Sequence, residues 1–392
     1  MSSETAPAHL GPLSGVRVID FSIMMAGPYC TRFLADMGAE IIKVETPDGD
    51  HIRNLEPLRA GRSAYFGHMN CGKRSVVLDL KKPAAVEAAR GLVSKADIVV
   101  ENFRPGVAAR LGVDYVTVAR ANPRLIYCSI SGFGQTGPAA DRPAFAQVVQ
   151  ASSGYDIALM NYQDSQDRPP NSNIFLADVL AGTFATSALL AALHQRGRTG
   201  RGQYIDLALM DSIMTIFPYE FQEAQFPAKE RRQVYRPVKA ADGFVIICPT
   251  TQKNFESLSD AIGHPEWKVD QRFAQPAARA KHWPELMALV EQWTSTRPAE
   301  ECANELMAAG IPASRHRSVR EAMQDPQFLH RGSFASVEDP GGRFLVPNLP
   351  FKMSDAAVQA GSSVPDLGAD TESVLEQWLG MSAEQVAALS AA

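Results

Sequence analysis

Five short β-branched, apolar runs recur through the first third of the chain, with helical spacing between them. They are VRVID at 16–20, EIIKVE at 40–45, SVVLDL at 75–80, DIVVENF at 97–103 and LIYCSI at 125–130. Helix-like stretches fall around 28–37, 83–95 and 114–121, and Pro83 suits the first turn of the second. A further helical pattern at 175–196 leads into QYIDLAL at 203–209. Strands that are apolar along their whole length are covered on both faces, and parallel strands need helical crossovers to join them. The pattern therefore predicts an α/β fold built on a large, Rossmann-like, open and mostly parallel sheet.

At 392 residues the chain exceeds the roughly 250–300 that a single core serves. The texture changes near 225, where PAKERRQVYRPVKAADG is polar and turn-rich, and a strand FVIICP and three helical patterns follow. Two domains are expected: residues 1–220, completed by about 325–392, and a smaller α/β domain at 225–325. A net charge of −5 without any basic run argues against nucleic-acid and membrane-surface partners. The five cysteines are scattered with no CxxC pair, and the histidines lack HExxH spacing. Free thiols in a reducing cytoplasm are expected, with no metal site. The first fifteen residues have neither a charged n-region nor an apolar h-region, so no signal peptide is read there.

GFGQTG at 132–137 matches a dinucleotide fingerprint, but that motif needs a helix to begin within it. Pro138 and Pro143 follow instead, which reads as a loop. No GxSxG or GxxxxGK[ST] is present. Lys73, Arg74, Lys81, Arg104 and Arg110 stand where strands meet loops. Ligands of open α/β sheets bind outside the carboxyl ends of strands, so these cations could line an anion site. Solvated surface charge is the plainer reading of them.

Asp178 is the one charge in the twenty residues Ile174–Leu193. The run is long enough for a bilayer, but Thr183, Thr186 and Ser187 interrupt it and a buried core helix is the better reading. Asn171, Ser172 and Asn173 are good helix caps, which would place Asp178 in the first or second turn. From chemistry alone, a capping acid and a catalytic acid are equally supported.

Several segments together resemble the class III CoA-transferases, which include formyl-CoA, carnitine and succinyl-CoA-dependent dicarboxylate CoA-transferases. They are GVRVIDFSIMMAGPYCTRFLADMGAEIIKVE (15–45), NCGKRSVVLDLKKP (70–83), ADIVVENFRPG (96–106), NPRLIYCSISGFGQTGP (122–138), QASSG (150–154), DVLAGTFATSALLAALHQRGRTGRGQYIDLALMDS (178–212) and ADGFVIICPTTQKNFESLSDAIG (241–263). The resemblance implies that Asp178 is the nucleophile, carrying first an acyl anhydride and then a CoA thioester. It implies CoA contacts from Met25, Ala26, Leu78, Asp79, Leu80, Lys81, Asn102, Phe103, Arg104 and Arg110. Arg110 and Lys81 would meet phosphates, and Phe103 and Leu78 would face the adenine. Tyr65 matches a tyrosine that faces the acyl group. No permanently bound cofactor is implied: coenzyme A and acyl-CoA are substrates, with a carboxylic acid as the other partner. An interlocked homodimer is implied as well.

Departures from the formyl-CoA branch bear on the substrate. Met25 replaces a glutamine beside the aspartate, Thr46 replaces an arginine, and the glycine-rich loop is absent from 220–260. Ile23, Met24 and Met25 suggest a roomier, apolar acyl pocket, suited to a medium dicarboxylate with succinyl-CoA as donor. Phe145 stands where racemases of the superfamily carry a proton-shuttling histidine, which disfavours an acyl-CoA epimerase. Phe145 and Ala146 also leave room for a silent subunit paired with a paralogue in a heteromer, although Asp178 argues against it.

Overall fold

The computed structural model describes residues 10–163, 167–170, 172–227 and 235–391. Asn171 and most of the N-terminal stretch read for a signal peptide lie outside the described residues, as does part of the polar stretch after 227. The strands form where the apolar runs fall: β1 Arg17–Asp20, β2 Glu40–Glu45, β3 Arg74–Val77, β4 Ile98–Glu101, β5 Ile126–Ser131 and β6 Gln203–Ala208. All of β4 and β5 is buried, as strands covered on both faces require. Each neighbouring pair is parallel, in the order β3-β2-β1-β4-β5-β6. The order reverses between β1 and β4. Crossovers from these two strands depart in opposite directions and leave a crevice at their carboxyl ends.

One side of the sheet packs on α1 (Ala26–Asp36) and α5 (Leu176–Thr199) through Val18, Ile98, Ile126, Leu34 and Leu189. Between them in sequence lie α2 (Ala64–Asn70), α3 (Pro83–Ser94) and α4 (Ala146–Ser152). The other side packs on α3 through Ile19, Ile42, Val76, Ala89 and Leu92. Val374, Leu375 and Trp378, from the helix Thr371–Leu379, complete that second layer.

α5 buries Ala177, Ala181, Ala185, Leu189 and Ala192 and exposes Thr183, Phe184 and Ser187. It is apolar and long enough to cross a membrane, yet its small-residue face is a packing face. Ser172 and Asn173 do not cap it. The chain is irregular from Ser172 to Phe175, and the helix begins at Leu176 with no side-chain cap. Gly200, in the left-handed conformation, ends it, and its N–H donates to the carbonyl of Arg196 at 2.8 Å.

The chain divides into two compact units, one of residues 1–221 with 330–392 and the other of 222–329. The smaller unit is an antiparallel sheet, β7 (Val238–Ala240), β8 (Gly243–Ile247) and β9 (Ala313–Arg315), with β8 central. Helices Gln252–Ala261, Trp283–Thr294 and Ala299–Ala308 pack on it around Val245, Phe255, Leu286 and Leu306.

Two lysines inside the larger unit are paired with buried aspartates. Lys73 Nζ donates to Asp20 at 3.0 Å and Lys43 Nζ to Asp50 at 3.1 Å, and neither pair's side chains have any exposure. Lys73→Ala is expected to cost the larger unit about 3–5 kcal/mol by leaving Asp20 buried and unpaired. Glu338→Ala, which removes the exposed partner of Arg343, is expected to cost less than about 0.5 kcal/mol. Chemical denaturation of both variants checks the contrast.

Candidate active site

The turn between β1 and α1, residues 21–25, is where the sheet order reverses, and side chains from four directions hold it. Asp20 accepts from the Ser22 N–H at 2.9 Å, from the Ser22 hydroxyl and from Thr31 Oγ1 at 2.7 Å. Lys43 Nζ donates to the Ser22 carbonyl at 2.7 Å. The amide of Asn102, just past β4, takes the Ile23 N–H at 2.8 Å and returns a bond to its carbonyl at 2.7 Å. Asp50 accepts from the Met24 N–H at 3.2 Å on each oxygen. Burial pushes the Asp20 carboxyl up, but Lys73, Lys43 and the two hydroxyls outweigh it and hold the group at about 2.

Met24 has φ of 64°, a left-handed conformation uncommon outside glycine. α1 begins two residues later at Ala26, whose backbone N–H faces the Asp178 carboxylate and pulls its carboxyl down. Asp178 is half-buried in the first turn of α5. Its carboxylate thus lies at two helix N-termini, both of which favour negative charge. Burial still dominates and pushes the carboxyl up to about 6, against the pull of the Ala26 N–H.

Close approach of the two helices depends on Gly182, one turn beyond Asp178. A Cβ at that position would lie 2.8 Å from the Ala26 carbonyl oxygen and 3.2 Å from Tyr29. Met24, Met25, Tyr29 and Tyr65 pack around buried Ile52, Phe66 and Met69 and form an apolar wall. Burial and then the nearby Asp178 and Asp50 push the Tyr65 phenol up to about 12. A half-buried carboxylate beside an apolar wall can attack an acyl carbon and shelter the product from water.

The remaining expected residues are placed unevenly. Arg104 is exposed on the loop after β4, Arg110 is exposed at the end of the short helix Val107–Arg110 that follows Gly106, and Lys81 is exposed on the loop after β3. Among the described residues, none of the three side chains has an ion-pair or hydrogen-bond partner. Phe103 and Leu80 are half-buried beside them, and Asp79 accepts from the Lys81 N–H at 3.1 Å. Leu78 is 2 % exposed and packs in the core with Val76 and Ala85. The Asn102 amide is taken up by Ile23, and Ala26 offers its backbone.

Lys73 and Arg74 also leave the anion-site set. Lys73 is bound by Asp20, Asn70 and Thr31, and Arg74 by Glu40, Asp370, Ser373 and Gln377. Phe145 is 66 % exposed at the start of α4 and is not among the side chains packed on Ile52, Phe66 and Met69. GFGQTG is a loop with no helix beginning in it, and the Gln135 N–H donates to Asp206 at 3.1 Å. Asp50, Lys43, Tyr29 and Gly182 were not anticipated. Only Lys43 carried a signal, as a cation between the apolar residues Ile42 and Val44 in the middle of the strand EIIKVE.

A family model described as CoA-transferase family III matches residues 13–371. The succinyl-CoA–D-citramalate CoA-transferase of Chloroflexus aurantiacus is 34 % identical over an alignment covering 100 % of this chain and 99 % of the relative. The acetyl-CoA:oxalate CoA-transferase of Acetobacter aceti is 36 % identical, covering 90 % and 92 %. The crystal structure of a CAIB/BAIF family protein from Brucella suis aligns with a TM-score of 0.84 at 33 % identity, covering 94 % of this chain and 100 % of that one.

Because the folded protein raises the Asp178 carboxyl above its ordinary 3.8, ionised Asp178 destabilises the fold. That cost is absent below about pH 4 and complete above about pH 6. Asp178→Asn is therefore expected to be more stable than the parent at pH 8, by on the order of 1–3 kcal/mol, and no more stable at pH 3.5. Thermal unfolding at the two pH values checks it.

Proposed function

The chain belongs to CoA-transferase family III, and from that premise we propose that it moves coenzyme A from succinyl-CoA to a medium dicarboxylate through intermediates on Asp178. The observation that carries this is the Asp178 carboxylate itself, half-buried in the first turn of α5, faced by the Ala26 N–H and close to Tyr65 of the apolar wall that also holds Met24 and Met25. An Asp178 oxygen attacks the thioester carbon and CoA thiolate leaves, giving an aspartyl–succinyl anhydride. The thiolate then attacks the aspartyl carbonyl, so the aspartyl-CoA thioester forms and succinate departs. The acceptor carboxylate attacks that thioester, and the two steps run in reverse with the new acid. Each intermediate keeps the thioester's free energy only while water is excluded, which suits the apolar wall.

Arg104, Arg110 and Lys81 are the cations we assign to the phosphates of CoA, since their charges have no partner within the described residues. Met24, Met25 and Tyr65 border the acyl group. Methionine in place of the formyl-CoA branch's glutamine removes a hydrogen-bond partner and favours a larger acyl chain. The relative named for D-citramalate supports a dicarboxylate acceptor of that size. A dimer of this chain belongs to the same proposal.

Purified protein is expected to exchange CoA between succinyl-CoA and acids such as citramalate, mesaconate or itaconate. Asp178→Ala should lose at least about 10³-fold of the rate. Hydroxylamine added with succinyl-CoA should leave a hydroxamate on Asp178, detected by peptide mass; an active Asp178→Ala enzyme would sink the assignment. In the parent, kcat/KM should fall as pH drops below about 6, because only the ionised carboxylate attacks. Arg104→Ala and Arg110→Ala should each raise KM for succinyl-CoA about tenfold, with kcat changed less.

A further inference from the structure

We infer that Asp50 is a positioning residue for the nucleophile: its carboxylate holds Met24 in the left-handed turn that sets where the start of α1 packs on α5, at Ala26 and Gly182, one turn from Asp178. The inference rests on Asp178 being the nucleophile. Asp50 is 1 % exposed and does not touch Asp178 through any hydrogen bond, so it acts through the backbone between them. Its oxygens are fully engaged. They accept from the Met24 N–H at 3.2 Å, from the Ile52 N–H at 3.3 Å and from Lys43 Nζ at 3.1 Å. Asp50 is held in turn, since its own N–H donates to Glu45 at 3.0 Å. Met24 therefore hangs from a point that is itself anchored to β2.

The geometry leaves Met24 as the adjustable joint. On one side, Asn102 binds both backbone polar groups of Ile23. On the other, Met25 leads directly into Ala26 and α1. A methionine at φ of 64° is disfavoured by its own Cβ, so without the charged acceptor it would relax towards negative φ. With Ile23 fixed, that relaxation rotates Met25 and shifts Ala26 against Gly182, and with it the first turn of α5 that carries Asp178. A shift of about 1 Å in a reacting group can cost on the order of 100-fold in rate.

Glycine takes the left-handed conformation without penalty, and this separates a positioning role from a merely structural one. Four proteins are compared: the parent, Asp50→Asn, Met24→Gly and the double variant. Single-turnover trapping at Asp178 with hydroxylamine and succinyl-CoA is measured on each, along with kcat, KM and melting temperature. Asp50→Asn fills the same space but loses one acceptor oxygen and the charge. It is expected to slow trapping and kcat about 30-fold with KM for succinyl-CoA within about threefold. In the Met24→Gly background the same change should cost less than about fivefold. The inference is overturned if Asp50→Asn traps at the parent rate, or if its loss is equally large with glycine at 24. Loss of the Lys43 pairing alone would lower the melting temperature in both backgrounds alike and leave the kinetic loss unrelieved. Should Asp50→Asn not fold, Asp50→Glu is compared with the same two backgrounds and the same criteria. An absence of adduct on the parent's Asp178 overturns the nucleophile reading, and this inference with it.

Discussion

Lys73 and Asp20 meet at 3.0 Å beneath the first turns of α1, where no water reaches either side chain. Lys43 and Asp50 form a second such pair a few residues away. A buried pair of this kind gives little net stability over an apolar replacement. What these two supply is location. Lys73 also donates to the Pro28 carbonyl, Lys43 to the Ser22 carbonyl, and Asp20 takes the Ser22 N–H. The four charged groups thus fix the backbone from Ser22 to Pro28 from below. That segment opens the crossover from β1 to β2 and contains the start of α1, whose Ala26 N–H faces Asp178. Changing any one member strands the others in a medium that does not tolerate lone charge.

Asp178 sits at a compromise. Deeper burial would raise its carboxyl further and leave too little of it ionised to attack. Greater exposure would admit water to any activated intermediate. Two helix N-termini supply partial positive charge without adding a side-chain cation, so the carboxylate is stabilised but not neutralised by an ion pair. A paired lysine or arginine there would depress its nucleophilicity. The charges of this region face the turn and leave the carboxylate with the backbone alone.

Local pattern carried most of the architecture. EIIKVE, DIVVENF and LIYCSI announced buried strands because a sheet covered on both faces leaves no polar face to mask the signal. The switch point could not be read that way, since strand order depends on crossovers and not on any strand's own residues. Asp178 stood out as a lone acid in an apolar run. Its surroundings did not, because Ala26, Gly182 and Tyr65 come from three separate segments. Lys73 and Arg74 misled for the same reason: a cation at a strand end reads identically whether it faces solvent or a buried aspartate 53 positions away. Leu78 shows a different limit. Its neighbours alternate sides as the strand ends, and one position decides between core and surface.

The larger unit is discontinuous, and the helix Thr371–Leu379 is part of its core, with Val374 and Leu375 fully buried against the α3 side of the sheet. During synthesis the six strands are complete once residue 208 has emerged. Their α3 face stays uncovered near Val76 and Leu92 until residue 378 follows. At about 5–20 residues per second that interval lasts on the order of 10 s. The smaller unit, contiguous in sequence, is made within it and can close first. Nascent chains of this protein therefore carry an open apolar sheet face for seconds, until the helix Thr371–Leu379 arrives to cover it.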